Sequence, residues 1–214
     1  MHKLPSKYRL RRIFRPLIII LAKLLSKCGI TPNVATFIMF GMSVISFVSI
    51  TVFSNLFLFS IFVFLTGIFD GIDGAIARLT GKSSSRGGFL DSFMDRCSEF
   101  LILLGVLIRV WGDILWIFFD MRLIVFVSLL ASLMISYLRA RAVVLHQGDY
   151  DVGLMARSER LFYLFVASLI SFFIDIFNVL IFIFMILVVL TVFYRYFRIK
   201  QELLRNEVQQ NKEE

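Results

Sequence analysis

The sequence is poor in the residues that bind transition metals and cross-link small folds. It contains only two cysteines and two histidines in 214 residues. Cys28 and Cys97 have neither the spacing of a disulfide framework nor that of a zinc-binding motif, so we expect both to serve in packing. His2 and His146 are equally isolated. This shortage excludes a disulfide-stabilised scaffold and a zinc site built from sulfur and imidazole ligands.

Charge is also missing over stretches long enough to cross a bilayer. Residues 33–69 carry no charged side chain, and residues 161–194 carry only Asp175. Each stretch has room for two crossings, because a spanning helix needs about 20 mostly apolar residues. We expect a turn near Ser54 and Asn55 to divide the first stretch. Further candidates at about 88–110 and 114–144 bring the prediction to six transmembrane helices.

Hydrophobic residues dominate the amino-acid composition. They make up 59% of the chain, with 25 phenylalanines, a share beyond that of ordinary soluble domains. We therefore predict an all-α integral membrane protein with a single domain over residues 1–205. Residues 1–30 are expected to form an amphipathic interfacial helix, with Leu10, Leu17 and Leu24 on its apolar face. Residues 33–200 would form the six-helix bundle, and residues 206–214 a disordered tail.

The net charge of +8 follows from where the basic residues lie. With six crossings, 21 of the 23 lysines and arginines fall in segments on the same side of the membrane as both termini. Only Arg109 and Arg122 lie elsewhere. By the positive-inside rule, this pattern predicts a multi-pass plasma-membrane protein with cytosolic termini. The charge therefore requires no nucleic-acid partner.

Five carboxylates interrupt the apolar pattern within about thirty residues: Asp70, Asp73, Asp91, Asp95 and Glu99. A charge near the membrane is costly unless it is paired or hydrated, so the cluster indicates a function. The first two are spaced i,i+3 and the next two i,i+4, so each pair shares one helix face. The short loop at 79–86 makes the two helices antiparallel neighbours. Four aspartates then converge at the cytosolic end of a helix pair.

Bare carboxylates in such a cluster repel one another, so the cluster requires cations. Oxygen ligands without nearby Cys or His favour Mg²⁺, Mn²⁺ or Ca²⁺ over zinc. A pair of ions about 4 Å apart suits chemistry on a phosphate substrate. Gly71 and Gly74 leave the backbone open to a bulky ligand, while Arg78 and Arg86 supply positive charge for phosphate oxygens.

Two other interpretations of the aspartates stay open at this point. They could form salt bridges with nearby arginines such as Arg78, Arg86 and Arg96. Alternatively, the chain could be a divalent cation transporter, in which the metal is cargo. For Glu99, we expect a structural ion pair with Arg96 or with an arginine on a neighbouring helix.

The carboxylate segment resembles the signature of the CDP-alcohol phosphotransferases, D-x-x-D-G-x-x-A-R-x(8)-G-x-x-x-D-x-x-x-D. All eight fixed positions match, namely Asp70, Asp73, Gly74, Ala77, Arg78, Gly87, Asp91 and Asp95. That family also has six transmembrane helices and an amphipathic N-terminal helix. The resemblance implies an enzyme that transfers a phosphatidyl-type group from a CDP-activated lipid to an alcohol and releases CMP. It further implies two divalent ions, Mg²⁺ or Mn²⁺, and a homodimer.

The resemblance also implies a role for each matching residue. Asp70, Asp73, Asp91 and Asp95 would bind the metal ions. Asp91 and Asp95 would be catalytic, with Asp95 either contributing to the second metal or taking the proton from the attacking hydroxyl. The CDP group of the donor would be bound by Asp73, Gly74, Ala77, Arg78 and Gly87.

The acceptor is predicted from basic residues at the inner ends of the last three helices: Arg139, Arg141, Arg157, Arg160, Arg195 and Arg198. These arginines either bind an anionic acceptor through bidentate contacts or anchor the helices to lipid headgroups. From the residues alone, both interpretations stay open.

Four segments, at 29–33, 136–142, 153–161 and 191–195, resemble the branch of the family that uses inositol 1-phosphate. This branch comprises the phosphatidylinositol phosphate and archaetidylinositol phosphate synthases. The resemblance implies that Arg139, Arg157 and Arg195 bind the acceptor phosphate. Two positions depart from it, since Arg139 replaces a common lysine and Ala156 a common glutamate.

Other acceptors are compatible with the same chemistry. They are glycerol 3-phosphate, serine, and a second inositol phosphate in the branch that makes di-inositol phosphate from CDP-inositol. The donor lipid is either a diacylglycerol or an archaeol derivative.

Overall fold

The computed structural model of the chain describes residues 10–145, 150 and 152–213, and for residues 11, 12 and 206–213 the backbone alone. Eight α-helices and one β-hairpin form in these residues. The helices are α1 (Leu10–Ile13), α2 (Arg15–Lys27), α3 (Pro32–Thr51), α4 (Leu56–Thr80), α5 (Ser85–Arg109), α6 (Met121–Leu145), α7 (Arg157–Phe173) and α8 (Phe177–Glu213). The hairpin joins the antiparallel strands β1 (Ile114–Leu115) and β2 (Phe119–Asp120).

Local sequence signals set the boundaries of the two central helices. The Asn55 side chain accepts a hydrogen bond from the Leu58 backbone N–H at 3.0 Å and caps α4. Ser84 caps α5 in the same way, accepting from the Gly87 N–H at 3.1 Å. Gly81 ends α4 with a left-handed φ of 66°, a conformation that glycine adopts without steric cost. The predicted turn near Asn55 and the short α4–α5 connection are both confirmed.

Helix α3 packs against α4 and α5, α4 packs against α7, and α6 packs against α8. The interior is apolar, with fully buried side chains such as Phe59, Ile102 and Phe184. Small hydroxyl residues lie between the helices. Several of their hydroxyls donate to the carbonyl of the preceding turn, as Ser128 does to Ile124 at 2.8 Å. Small residues of this kind let helices approach closely in membranes.

The long helices divide the bundle into two ends. The carboxylate end contains the α4–α5 turn at 81–84, and the hairpin end contains the connections at 52–55, 110–120 and 174–176. A hydrogen bond from Asn178 to Asp113 at 3.0 Å joins the start of α8 to the 110–120 connection.

Four of the described helices are long and apolar enough to cross a membrane. They are Pro32–Thr51, Leu56–Thr80, Met121–Leu145 and the Phe177–Arg205 part of α8. Helix α5 carries the charges of the carboxylate segment, and α7 has only 17 residues. The four apolar spans indicate an integral membrane protein.

The predicted fourth span begins later than expected. Helix α6 starts at Met121, and residues 114–120 form the hairpin in place of a first helical turn. The hairpin turn contains Trp116 and Ile117 at φ 48° and 68°, values that are uncommon for a bulky or β-branched residue. A short apolar run has no periodicity that separates strand from helix, which is why the sequence did not predict the hairpin.

At the N-terminus, α2 lies along α4 with Ile18 and Ala22 buried. Gly71 of α4 makes this approach possible, because a Cβ there would lie 2.6 Å from the Ile18 Cδ1 atom. Leu17 and Leu24, from the predicted apolar face, are 42% and 55% exposed. Residues 1–9 of the predicted interfacial segment lie outside the described residues.

At the C-terminus, α8 continues to Glu213. This helical backbone differs from the disordered tail that the sequence predicted beyond residue 205.

Candidate active site

The carboxylates of α4 and α5 meet at the carboxylate end of the bundle. Asp70, Asp91 and Asp95 each offer one oxygen, and these oxygens lie within 4.8 Å of one another. Asp70 is buried, and the other two are half-buried. The predicted convergence of side chains from α4 and α5 is therefore observed for three of the four aspartates. The two helices are held together mainly by α3, which packs against both, and not by the direct contact that the sequence predicted.

Asp73 lies beside this group and is held differently. Its Oδ2 atom accepts a hydrogen bond from the Thr36 hydroxyl at 2.8 Å, and its Oδ1 atom accepts from the Gly74 backbone N–H at 2.5 Å. Thr36 belongs to α3, so a third helix orients this carboxylate. Asp73 and Asp91 line the same cavity, which keeps Asp73 next to the group of three.

Arg157, at the start of α7, contacts the group directly. Its NH1 atom donates to Asp70 Oδ1 and lies 2.5 Å from Asp95 Oδ1. One guanidinium therefore faces several carboxylates in a mostly buried site. Because surplus negative charge is costly away from water, a bound cation would stabilise this group.

The ligand set fits hard divalent cations. All the convergent groups are carboxylates, and carboxylate oxygens are the ligands that Mg²⁺, Mn²⁺ and Ca²⁺ prefer. The two cysteines do not join them, since Cys28 is exposed and Cys97 is absent from the described metal-capable group. The residues present thus match an oxygen-ligated metal centre.

A cavity of about 540 Å³ opens on the α3 side of the carboxylates. It is lined by all five residues predicted to bind the donor, Asp73, Gly74, Ala77, Arg78 and Gly87. A Cβ at Gly74 would lie 3.3 Å from the Arg78 NH1 atom, so glycine leaves space for the guanidinium above the helix. The structure brings the predicted donor residues together in one place.

A second cavity, of about 1230 Å³, lies on the α6 and α8 side. The three predicted acceptor residues line it, Arg139, Arg157 and Arg195. Asp91 lines both cavities. The carboxylates therefore border a small cavity next to glycines and a larger cavity rich in arginine. A third cavity, of about 1250 Å³, opens on the α2 side and is lined by Asp70, Asp73 and Asp91.

The family model for CDP-alcohol phosphatidyltransferases matches residues 29–196. The chain belongs to this family. The match covers the carboxylate segment and both cavities, and it confirms the resemblance inferred from the motif. The protein is accordingly a phosphotransferase and an integral membrane enzyme.

Named relatives belong to the inositol phosphate branch. An archaetidylinositol phosphate synthase of Pyrococcus horikoshii is 37% identical over 151 residues, covering 71% of this chain and 76% of the relative. A phosphatidylinositol phosphate synthase of Mycobacterium tuberculosis is 33% identical over 168 residues, covering 75% of this chain and 72% of the relative.

Crystal structures of the Mycobacterium tuberculosis enzyme have the same fold. The form with CDP-DAG bound superposes with a TM-score of 0.73 at 25% identity, covering 86% of this chain and 94% of that one. The form in complex with manganese and citrate gives a TM-score of 0.74 at 26% identity, covering 85% and 88%.

The six arginines of this CDP-alcohol phosphatidyltransferase do not form one set. Four of them line the larger cavity, namely Arg139, Arg157, Arg160 and Arg195. Arg141 and Arg198 are exposed and lie outside the residues that line it. Of the two interpretations of these arginines, acceptor binding is therefore compatible with the positions of four of them and not with those of Arg141 and Arg198.

Arg160 forms a buried structural ion pair in the phosphatidyltransferase. Its Nε and NH2 atoms donate to the two Glu99 oxygens at 2.5 and 2.7 Å, and its NH1 atom donates to the Met155 carbonyl at 2.8 Å. The expectation that Glu99 pairs with an arginine of a neighbouring helix is confirmed. The contact to Met155 fixes the chain just before Arg157.

Arg195 is almost fully buried and bridges two segments. Its Nε atom donates to the Val152 carbonyl and its NH1 atom to the Ile135 carbonyl, both at 2.8 Å. These bonds hold Val152 and α6 against α8 beside the larger cavity.

Thr36 is the residue of this site that the sequence prediction missed. It is a polar residue within an uncharged span, three positions after Asn33, and both line the smaller cavity. A search for hydroxyl residues one turn inside the helix from Asn33 would have found it. Lys82 and Ser84, in the α4–α5 turn, line the same cavity.

Proposed function

We propose that this enzyme transfers the phosphatidyl-type group of a CDP-activated lipid to a hydroxyl of inositol 1-phosphate and releases CMP. The donor is CDP-diacylglycerol or CDP-archaeol, and the product is a phosphodiester of membrane phospholipid synthesis. One observation carries the proposal: the carboxylate group borders two cavities of different character, and Asp91 lines both. Such an arrangement holds a donor and an acceptor on either side of one reacting phosphorus.

The smaller cavity suits the CDP part of the donor. Gly74, Ala77 and Gly87 keep it open for a bulky ligand, and Arg78 provides a guanidinium for phosphate oxygens. Lys82 adds a second positive charge at its edge. The relative that has been crystallised with CDP-DAG bound supports a CDP-lipid donor.

The larger cavity suits a polar, anionic acceptor. Arg139, Arg157 and Arg195 line it, and guanidinium groups bind phosphate through paired hydrogen bonds. The relatives named as inositol phosphate synthases support inositol 1-phosphate as the acceptor. These arginines would orient the acceptor so that a ring hydroxyl faces the carboxylates.

Asp70, Asp73, Asp91 and Asp95 would hold two divalent ions, Mg²⁺ or Mn²⁺. Bound there, such ions supply neutralisation of the donor diphosphate and of the departing CMP phosphate. The relative in complex with manganese supports this assignment. Thr36 would keep the Asp73 carboxylate oriented through its 2.8 Å hydrogen bond.

In the reaction, the acceptor hydroxyl oxygen forms a bond to the lipid-linked phosphorus, and the bond from that phosphorus to the CMP oxygen breaks. Asp95 takes the hydroxyl proton, since it lines the acceptor cavity beside Asp91. Asp91, which lines both cavities, positions the two substrates. The charge released on CMP stays next to Arg78.

We also propose the membrane arrangement that this chemistry needs. Helices α5 and α7 would join the four apolar spans, giving six transmembrane helices within a single domain over residues 1–205. Helix α2 would lie in the interface, and the carboxylate end and both termini would face the cytosol. The plasma membrane is the proposed location, and a homodimer the proposed assembly.

An acceptor panel with the purified enzyme tests the proposed function. The enzyme, in lipid nanodiscs with Mn²⁺, is given CDP-diacylglycerol or CDP-archaeol together with inositol 1-phosphate, inositol, glycerol 3-phosphate or serine. CMP release and the mass of the lipid product are measured. We expect CMP and an inositol phosphate lipid with inositol 1-phosphate only.

Other results would redirect or overturn the proposal. A product with serine or glycerol 3-phosphate and none with inositol 1-phosphate would contradict the acceptor. A di-inositol phosphate formed from CDP-inositol would contradict the lipid donor. Mn²⁺ flux into liposomes without CMP release from any donor would favour a transporter.

A further inference from the structure

Three arginines of the larger cavity differ in how their donors are used. The Nε, NH1 and NH2 atoms of Arg160 all donate to oxygen acceptors, on Glu99 and on the Met155 carbonyl. Arg195 donates from Nε and NH1 to two backbone carbonyls. Acceptors of the surrounding helices and connections thus hold both side chains in place.

Arg157 is held far less completely. Its NH1 atom donates to Asp70 Oδ1 and forms an ion pair with Asp95. Its NH2 atom meets the Met39 sulfur at 3.5 Å, and a thioether is a weak acceptor. Its Nε atom is buried with no hydrogen-bond acceptor among the described residues. A buried donor without an acceptor costs free energy, so this position is poor for a permanent guanidinium.

The carboxylates that Arg157 contacts belong to the candidate metal centre. Asp70 and Asp95 are two of the three residues whose oxygens lie within 4.8 Å of one another. A divalent cation bound by these oxygens would repel a guanidinium in contact with them. Arg157 in this position therefore weakens metal binding, and a bound metal ion destabilises this position of Arg157.

A better environment for Arg157 lies next to its present position. The larger cavity is lined by Arg157 itself together with Arg139 and Ser136. A phosphate in this cavity would offer acceptors to the Nε and NH2 donors that have only poor partners now. The side chain can reach it by rotation about its own bonds, since it borders both places.

We propose that Arg157 is an exchangeable counter-ion, which neutralises Asp70 and Asp95 before metal binds and moves to the acceptor phosphate afterwards. This inference rests on the proposed function and adds a coupling to it. Metal loading makes Arg157 available to the acceptor, and acceptor binding removes a competitor from the metal ligands. By linkage, each ligand then increases the affinity for the other by the same factor.

The coupling is measured on the full-length enzyme in nanodiscs without donor. Mn²⁺ affinity is determined by electron paramagnetic resonance of the free ion, for wild type, Arg157→Gln and Arg139→Gln. We expect Arg157→Gln to bind Mn²⁺ about tenfold more tightly than wild type, within the usual range of coupling between linked sites. Arg139→Gln removes the same charge from the same cavity, and we expect it to leave Mn²⁺ affinity nearly unchanged.

The second part of the test adds inositol 1-phosphate or inorganic phosphate. Either anion should tighten Mn²⁺ binding in wild type, and this effect should be lost in Arg157→Gln. Should Arg157→Gln fail to fold, Arg157→Lys replaces it, with tighter Mn²⁺ binding than wild type by a smaller factor.

The outcomes separate the inference from the function on which it rests. Equal changes of Mn²⁺ affinity in Arg157→Gln and Arg139→Gln would overturn the proposed exchange of Arg157. They would show only a general effect of removing a positive charge from the cavity. Unchanged or weaker Mn²⁺ binding in the Arg157 variants would overturn it as well, while wild type still binds Mn²⁺ and releases CMP. Failure of wild type to bind Mn²⁺ or release CMP would instead overturn the proposed function.

Discussion

The two ends of the bundle handle charge in opposite ways. At the carboxylate end, Arg160 and Glu99 form an ion pair at 1% and 4% side-chain exposure, and the aspartates converge beside it. At the hairpin end, charged groups are few and mostly at the surface, while Ile117 and Phe118 are 87% and 85% exposed. In the part of the chain that the structure describes, charge is buried only at the carboxylate end, where side chains from several helices surround it.

The exposed pair at the hairpin end illustrates the contrast. Arg122 donates to both Asp120 oxygens, and the side chains of Arg122 and Asp120 are 46% and 31% exposed. Hydrogen bonds from Arg122 lower the pKa of Asp120. Yet an ion pair this exposed contributes little to stability. Acidic and basic side chains that are buried at the carboxylate end have a structural or functional role. At the hairpin end the same residue types are more exposed, and their ion pair contributes little.

The largest contrast between the ends should appear in turnover. Asp95→Asn removes the proposed proton acceptor, and we expect kcat to fall by at least about 100-fold, as for loss of a general base. The donor should still bind, since the donor cavity is unchanged. Asp113→Asn makes the same chemical change at the hairpin end and should leave kcat within about twofold of wild type, because Asp113 lines neither cavity.

Rates of CMP release at saturating substrate provide this measurement. Full activity of Asp95→Asn, or equal losses in the two variants, would contradict the role of Asp95.

The next effect concerns stability. Glu99→Gln leaves Arg160 buried without its countercharge, and breaking a buried ion pair in this way costs about 3 to 5 kcal/mol. The free energy of unfolding is measured with denaturant in detergent micelles, using helical circular dichroism. Asp120→Asn, at the exposed pair of the hairpin end, should show no measurable change.

A double variant tests the explanation. Glu99→Leu with Arg160→Met replaces the pair by apolar side chains of similar size and should recover much of the lost stability. A double variant less stable than Glu99→Gln would show that the pair is needed for more than mutual neutralisation.

A smaller effect is expected in metal dependence. Asp70→Asn removes one ligand charge, so the Mn²⁺ concentration for half-maximal activity should rise at least about tenfold, the cost of losing even an outer partner of a metal ligand. Thr36→Val removes the hydroxyl that orients Asp73 and should raise it by a smaller factor. Unchanged Mn²⁺ dependence in Asp70→Asn would contradict its assignment as a ligand.

The smallest effect on activity is expected for substitutions at the hairpin. The quantity to measure there is the depth of the hairpin in the membrane. Trp111→Phe leaves Trp116 as the single tryptophan of the chain. Tryptophan favours the membrane–water interface, so lipids with a quencher near the headgroup should reduce its fluorescence more than lipids quenched at the bilayer centre. Quenching by aqueous acrylamide alone would place the hairpin in water.

Helical periodicity and charge were enough to predict the helix pair that carries the site. Asp70 and Asp91 converge because both pair spacings follow the helical repeat and because the turn ending at Ser84 is short. Apolar length predicted α3 and α4 with their turn at Asn55. These features depend on the local sequence, so they can be predicted without knowledge of tertiary contacts.

The roles of the arginines could not be predicted from the local sequence in the same way. Arg157 and Arg160 are one turn apart on α7, yet one contacts the metal-capable carboxylates and the other pairs with Glu99. The difference depends on which neighbouring helix each side chain meets. Likewise, the Asp73 side chain contacts Thr36 because α3 packs beside α4. The spacing of residues along α4 does not predict this contact.

The most direct test of the account is the position of manganese in crystals of the enzyme grown with Mn²⁺. Anomalous scattering should give two peaks among the carboxylates of Asp70, Asp73, Asp91 and Asp95, between the two cavities. Arg157 should then lie away from the carboxylates. An absence of anomalous signal at this position, with Arg157 still paired to Asp70 and Asp95 at saturating Mn²⁺, would contradict the account.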